Sequence, residues 1–507
     1  MTDSRDDKAH IEHDKGGLLK DVYRWVLENA EFKRWRDDEQ SPLLWIKGDP
    51  GKGKTMLLCG IIGELRSKQS SPVSFFFCRG TDSRFNNATA VLRGLLYLLL
   101  EEQPYLLSHV RKRYDTAGKP LFEGDNAWFA LSTICADVLQ DPGLEKTYLV
   151  VDALDECIAD LPKLLRWIVQ MSSGFPRIKW VVSSRNWQEI EKHLSGATQR
   201  VRLCLTLNED SVSAAVATYI RLKVEELAEL NRYTNDITNA IQRYLSAHAH
   251  GTFLWVALVC QNLSKVKRWN IKAELRIDVF PPGLDDLYQK MLDRIQVLRD
   301  IDLCKRILAT ASVVYRPITL EELRSLVELP EGLADDDLAE IIADCGSFLT
   351  LRERSIFFVH QSAKDFLLRT ATAQTTAQIF PSGLGDIHHN IFSRSLQVLL
   401  KTLCRDVYGL CAPGFPIDKV QKPDPDPLVT ARYSCIFWVD HLEASCPDPS
   451  SSDLQDGSFV HNFLRQSYLY WLEALSLLKN MSAGIRVMEK LEGLLQVGLA
   501  HFSMELD

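Results

Sequence analysis

Hydrophobic positions along the chain change their period near residue 208, and the change separates two kinds of architecture. Before it, short and almost uniformly apolar runs stand between longer helical patterns. The runs are Leu43–Ile46, Val73–Cys78, Tyr148–Val151 and Lys179–Val182. Runs of this length with no polar alternation suit strands covered on both faces. Between them, Val22–Leu27 and Met56–Ile62 have helical spacing, and Asn87–Leu100 reads as a helix with Asn87 as its cap. Strands alternating with helices through residue 205 predict a parallel, doubly wound α/β sheet. After Asn208-Glu209-Asp210 the spacing becomes helical. The run Phe253–Val259 is apolar on nearly every side, as in a buried helix. Pro281-Pro282-Gly283 then breaks the chain before a helix over Leu284–Ile295.

Residues 303–368 follow a distinct order. A helix leads to Arg316-Pro317-Ile318-Thr319, then come a second helix and an acidic helix over Asp335–Asp344. Two strands, Phe348–Leu351 and Ile356–Val359, flank Glu353-Arg354-Ser355. This is the pattern of a winged helix. The rest reads as helices over Ile387–Leu400, Tyr433–Leu442, Phe459–Leu478 and Ile485–Leu499. Proline-rich loops at 412–428 and 446–453 separate them. No repeat of about 40 residues is present, which excludes a propeller or an ankyrin array.

Composition narrows the class. The length of 507 residues suits about three or four domains. A hydrophobic share of 46% with 25% charged residues is that of soluble globular protein. The formal charge of −8 argues against a general nucleic-acid binder. So does the acidic helix, where Asp335, Asp336, Asp337, Glu340 and Asp344 would repel phosphate at the place a winged helix usually meets DNA. No DNA partner is expected. The 12 cysteines show no C-x-x-C pair, so reduced thiols are expected rather than a zinc site or disulfide framework. The paired histidines His388-His389 and His248-x-His250 read as structural. Met1–Lys15 is charged, not a secretory leader, and stretches such as Leu95–Leu100 and Thr252–Cys260 are too short to span a bilayer. A cytoplasmic protein without a transmembrane segment is the expectation.

The chemistry starts at Gly48-Asp49-Pro50-Gly51-Lys52-Gly53-Lys54-Thr55, the pattern G-x-x-x-x-G-K-[ST] between a strand and a helix. Glycines let backbone N–H groups close round phosphate oxygens while the helix directs its positive end at them. Lys54 would reach the β- and γ-phosphates, and the Thr55 hydroxyl would hold Mg²⁺. About a hundred residues on, an apolar strand ends at Asp152 and continues Ala153-Leu154-Asp155-Glu156. A carboxylate at the C-terminal end of a parallel strand suits the metal side of the site, the role read for Asp152. Asp155 or Glu156 suits orienting or deprotonating a water that attacks the γ-phosphate. A further strand ends at Arg185, placed to sense that phosphate and stabilise its leaving charge.

Three phrases together resemble the NACHT domain of the STAND class of signal-transduction NTPases. They are Gly48–Thr55, Val151-Asp152-Ala153-Leu154-Asp155-Glu156 and Val182-Ser183-Ser184-Arg185. The runs Lys15–Leu19, Trp45–Gly51 and Thr81–Ala90 are similar to those of fungal heterokaryon-incompatibility receptors, the NLR-like branch. The likeness covers residues 10–370 well and the remainder loosely. It implies an ADP- or GDP-bound closed state, exchange to ATP or GTP with Mg²⁺, slow hydrolysis, and homo-oligomerisation that gathers an unidentified effector or sensor partner. It also implies that His360, at the end of the second wing strand, reaches the β-phosphate as a latch. Two departures stand out: the usual Gly after the first acid is Ala153, and the usual proline motif of the helical domain is replaced around Gly251-Thr252-Phe253.

The expected layout is an N-terminal tail (1–14), a NACHT P-loop domain (15–207) and a helical domain (208–300). A winged-helix domain (301–370) and a helical C-terminal region (371–507) follow. The chain reads as a switch without a recognisable sensor or effector, whether a short protein in its own right or a fragment of a longer receptor. Two other readings remain: a motor ATPase of the AAA+ kind, and a scaffold that uses nucleotide only to fold.

Overall fold

The computed structural model describes residues 3–14, 17, 20–68, 71–118, 121–122, 126–175, 177–194, 201–205, 208–271, 280–296, 300–330, 332–345, 348–371, 379–411, 414–445 and 453–504. It forms two compact units, Met1–Lys290 and Met291–Asp507. Of the run Lys15–Leu19 only Gly17 lies among the described residues, and of the loop 446–453 only Asp453.

In the first unit, helices α1 (Ser4–Asp14), α2 (Lys20–Glu28) and α3 (Ala30–Asp37) precede strand β1 (Leu43–Lys47). Next come α4 (Lys54–Lys68), β2 (Val73–Phe77), α5 (Ala88–Glu102), α6 (Leu107–Ala117) and α7 (Ala127–Leu139). Strand β3 (Thr147–Asp152), α8 (Leu161–Gly174), β4 (Ile178–Ser184), α9 (Gln188–Leu194) and β5 (Val201–Cys204) complete the α/β part. The helices α10 (Glu209–Asn231), α11 (Asn235–His248), α12 (Phe253–Lys265) and α13 (Leu284–Ile295) follow, the last running across the division between units.

The five strands pair in parallel in the order β2-β3-β4-β1-β5. Strands β1 and β3, which carry the glycine loop and the acid, are therefore not neighbours; β4 lies between them. The sheet is buried on both faces, which is why its strands read as continuous apolar runs. Side chains of alternate residues leave on opposite faces. Leu43, Trp45, Phe76, Leu149, Val151, Trp180 and Val182 join residues of α5, α7, α8 and α9 in one core. The alternate set, including Leu44, Ile46, Phe75, Val150 and Val181, is equally buried, and α3 and α4 pack against those strands. Truncating a core aromatic such as Trp180 typically costs about 3–5 kcal/mol. Lys179 is buried, and its Nζ donates to the carbonyls of Trp35, Asp38 and Ser41 at 2.8, 2.5 and 3.1 Å, which offsets the cost of burying an ammonium.

Residues 4–14, expected as a tail, form the helix α1. Its sequence has no apolar stripe to read, and a helix polar on most sides needs tertiary anchors. One is the ion pair of the buried Asp7 with Arg79 at 2.9 Å.

The second unit opens with α14 (Ile301–Val313), β6 (Ile318–Thr319), α15 (Leu320–Leu326) and α16 (Asp335–Asp344). Strands β7 (Leu349–Arg352) and β8 (Ser355–Phe358) lead to α17 (Gln361–Ala371). The strands make an antiparallel sheet in the order β6-β8-β7. Thr319 and Glu322 cap α15 reciprocally, and the buried Glu322 carboxylate pairs with Arg316 at 2.6 Å. Asp335, at the start of the acidic helix, is held by Arg324 and Arg354. Helices α18 (Leu384–Thr402), α19 (Arg432–Ala444), α20 (Phe459–Leu477) and α21 (Met481–Met504) share a core centred on Trp438, Phe463 and Trp471. Their rings meet edge to face with centroids 5.4–6.5 Å apart. Among the described residues no helix is long and apolar enough to cross a membrane.

Candidate functional site

Strand β1 delivers the loop Gly48–Gly53 into the first turn of α4, which begins at Lys54. Gly51 and Gly53 adopt φ of +78° and +82°, the left-handed region that favours glycine. Space forbids a side chain as well. A Cβ on Gly51 would lie 2.9 Å from Thr252 Cγ2, and one on Gly53 would lie 2.9 Å from the Phe253 ring. Lys54 Nζ donates to the Gly48 and Asp49 carbonyls at 2.6 and 3.0 Å. Burial lowers the pKa of this ammonium, while the charges of Asp155 and Asp152 oppose the shift.

At the end of β3, Asp152 is 2% exposed. The Ser183 hydroxyl, on β4, donates to Asp152 Oδ1 and accepts the N–H of Ala153 at 2.9 Å. Burial raises the Asp152 pKa; hydrogen bonds from Ser183 and Thr55 and the charge of Lys54 act the other way. Ala153 turns the chain through the left-handed region at φ 54°, ψ 54°, into a short 3-10 turn over Leu154–Glu156. There the two acids part company. Asp155 is buried and doubly held by Arg185, with Oδ2 2.9 Å from Nε and Oδ1 accepting the backbone N–H at 2.9 Å. Glu156 Oε2 accepts the Gly80 N–H at 3.0 Å. Burial, with the charge of Asp155 adding to it, pushes the Glu156 carboxyl up to about 8.

The structure thus brings Gly48–Thr55, Asp152, Asp155, Glu156 and Arg185 to the C-terminal ends of β1, β3 and β4. Asp49 accepts from Asn186 Nδ2 at 3.0 Å, and Lys52 Nζ donates to the His250 carbonyl at 2.7 Å. His360 belongs to the second unit, between β8 and α17. Its Nδ1 lies 2.7 Å from Ser362 Oγ and accepts the Ser362 N–H at 3.1 Å.

Sequence reasoning singled out Arg185 alone at the end of β4. The whole polar run takes part: Ser183 grips Asp152, Ser184 accepts from Trp45 Nε1 at 2.9 Å, Arg185 holds Asp155, and Asn186 holds Asp49. The available signal was four successive polar residues closing an otherwise apolar strand. What the sequence lacked was the strand order that puts β4 between the loop and the acid.

Comparison with known proteins bears on this arrangement. Residues 21–185 match the family model described as Nephrocystin 3, N-terminal, a span that runs from α2 through the glycine loop to Arg185. The vegetative incompatibility protein HET-E-1 of Podospora anserina is 54% identical over 513 aligned residues, covering 98% of this chain. The chain is a relative of the NACHT-bearing, NLR-like fungal incompatibility proteins. It spans 38% of the length of that relative. Among solved structures, a Walker-type ATPase of Pyrococcus abyssi matches 69% of this chain and 95% of its own at 12% identity and a TM-score of 0.32. Cdc6p from Pyrobaculum aerophilum matches 67% and 86% at 14% identity and a TM-score of 0.31. At these scores the structural likenesses carry no argument about this chain.

Proposed function

We propose that the chain is a nucleotide-dependent switch of the NACHT type, holding ADP or GDP at rest and ATP or GTP with Mg²⁺ when active. The observation that carries the reading is the meeting of the Gly48–Thr55 loop with Asp152, through Thr55 and Lys54, at the mouth of a parallel sheet. In this reading the loop's backbone N–H groups and Lys54 bind the phosphates. The Thr55 hydroxyl and the Asp152 carboxylate, whose charged form Thr55 favours, offer the hard oxygen ligands that Mg²⁺ prefers. Bound Mg²⁺ would supply charge neutralisation of the phosphates.

The acids suit a slow hydrolase better than a motor. Asp155 and Arg185 engage each other, so a phosphate sensor and a water-orienting carboxylate become free only if that ion pair opens. Glu156, with a carboxyl pushed up to about 8, is mostly protonated at neutral pH and becomes available as a base for water only as pH rises towards 8. The order of elements from α14 to α17, with the three-stranded sheet, supports a winged-helix domain at 301–370, preceded by the helical domain 208–300 and the P-loop domain 15–207. In that layout α18–α21 form a helical C-terminal region, and His360 acts as a latch on the diphosphate form. The similarity to an incompatibility protein supports a signalling output through homo-oligomerisation and an effector or sensor partner.

Nucleotide bound only by the folded chain stabilises it by about 4 kcal/mol at a thousandfold excess over Kd. Lys54→Ala is therefore expected to abolish the rise in Tm that added ADP or GDP produces in the native chain. An undiminished rise in the variant would remove the loop from nucleotide binding. Chromatography of nucleotide released on denaturing the purified chain identifies the base.

A further inference from the structure

The segment joining α11 to α12 bends through two successive left-handed residues, His250 at φ +44° and Gly251 at φ +64°, and closes on the glycine loop. The His250 carbonyl accepts Lys52 Nζ at 2.7 Å, and the Leu254 N–H donates to the Gly51 carbonyl at 3.3 Å. Thr252, Phe253 and Leu254 fill the space that a side chain on Gly51 or Gly53 would need. The Phe253 ring is backed by Tyr219, edge to face with centroids 5.5 Å apart. Lys52 and Lys54 thus have different partners. Lys54 lies against carbonyls of its own loop, whereas Lys52 reaches out of the loop to the helical segment. Burial lowers the Lys52 pKa while Asp49 and Glu209 oppose the shift, and its carbonyl contact compensates for the water it has lost.

We propose that His250–Leu254 is a clasp on the phosphate loop, and that Lys52 is the positioning residue that holds it shut and so slows nucleotide release. The inference rests on the nucleotide reading above and adds to it a device for retention. Phosphate groups are gripped by backbone N–H groups of the loop, and letting them go requires that backbone to rearrange. The same backbone is packed against Thr252, Phe253 and Leu254 and hydrogen-bonded at Gly51. A loop held in one conformation forfeits less entropy on binding and releases its ligand more slowly.

The test uses the full chain loaded with a fluorescent ADP or GDP analogue and chased with excess unlabelled nucleotide. Loss of a hydrogen bond to a charged group predicts release about tenfold or more faster from Lys52→Met than from the native chain. Lys52→Arg, which keeps a cationic donor, should release at close to the native rate. Gly251→Ala forces a Cβ into a left-handed position 3.2 Å from the Lys52 ammonium, so it should also speed release. Melting of the nucleotide-free variants shows whether they fold as the native chain does. Native release rates in both Lys52→Met and Gly251→Ala would overturn the clasp while leaving the nucleotide site intact. A native chain that takes up neither analogue would overturn the nucleotide reading as well.

Discussion

Ala153 occupies φ 54°, ψ 54°, where a Cβ crowds the backbone and costs about 1–2 kcal/mol. The NACHT resemblance pointed to glycine at this position, and the backbone gives the physical reason: the chain must turn left-handed straight after Asp152 to aim Asp155 and Glu156. The alanine is tolerated because the surrounding structure over-determines the turn, its N–H fixed by Ser183 Oγ and its side chain buried. Ala153→Gly relieves the strain but loosens the unfolded chain, which offsets part of the gain. The expected net stabilisation is roughly 0.5–1 kcal/mol, a rise in Tm of about 1–3 °C. A fall in Tm would mean that the Cβ packing outweighs the strain. The same residue shows where reading a sequence stops. The departure from glycine was legible, but its cost was not, because φ is set by what β4 does to the turn.

At the scale of elements, the turn after β3 divides two adjacent acids into different chemical states. Asp155 is charge-paired with Arg185; Glu156, half-buried, accepts from Gly80, and its surroundings push its carboxyl up to about 8. A base works only when deprotonated, so if Glu156 activates water, kcat/KM rises with pH through a limb near 8. Glu156→Gln should keep nucleotide binding, lose that limb, and lower hydrolysis by about 10²–10⁴-fold above it. A native-shaped profile in the variant would pass the role of base to Asp155. Strands β1, β3 and β4 were legible because short apolar runs bounded by polar residues are a local signal. So were helix α5, whose cap Asn87 accepts the Ala90 N–H, and α16. The placing of β4 between β1 and β3 was not, since strand order depends on pairings over more than a hundred residues. The clasp at His250–Leu254 was equally hidden: a helix start about two hundred residues from Lys52 carries no local sign of the loop it touches. The helix α1 escaped for the opposite reason, having no hydrophobic period at all.

At the scale of the whole molecule, the two units are expected to respond to different conditions. The first is expected to answer to nucleotide. The second contains a buried polar chain: the Tyr315 N–H donates to Tyr433 Oη, which lies 2.7 Å from His441 Nε2, and His441 Nδ1 lies 2.9 Å from His388 Nδ1. Burial and the nearby charge of Lys364 lower His388 to about 4, and burial together with His388 puts His441 well below the ordinary histidine range. Lys364 is itself brought down to about 8 by burial. Asp440, Glu443 and Lys490 surround the neighbouring Tyr315, and Arg316 lies over the Tyr433 ring. The sign of the linkage follows from these directions. Both histidines are neutral in the folded chain, so as pH falls from about 6.5 towards 4 the unfolded chain takes up protons that the folded chain does not. Stability from this source is complete above that window and is lost on descending through it. The Tm of the native chain should therefore drop between pH 7 and pH 4.5. His388→Gln, which keeps a polar partner for His441 but cannot titrate, should drop less over the same interval. Carboxylates contribute to acid sensitivity in both proteins, so the difference between the two pH profiles is the quantity to compare. Parallel profiles for variant and native chain would show that the histidine pair does not govern the acid response of this unit.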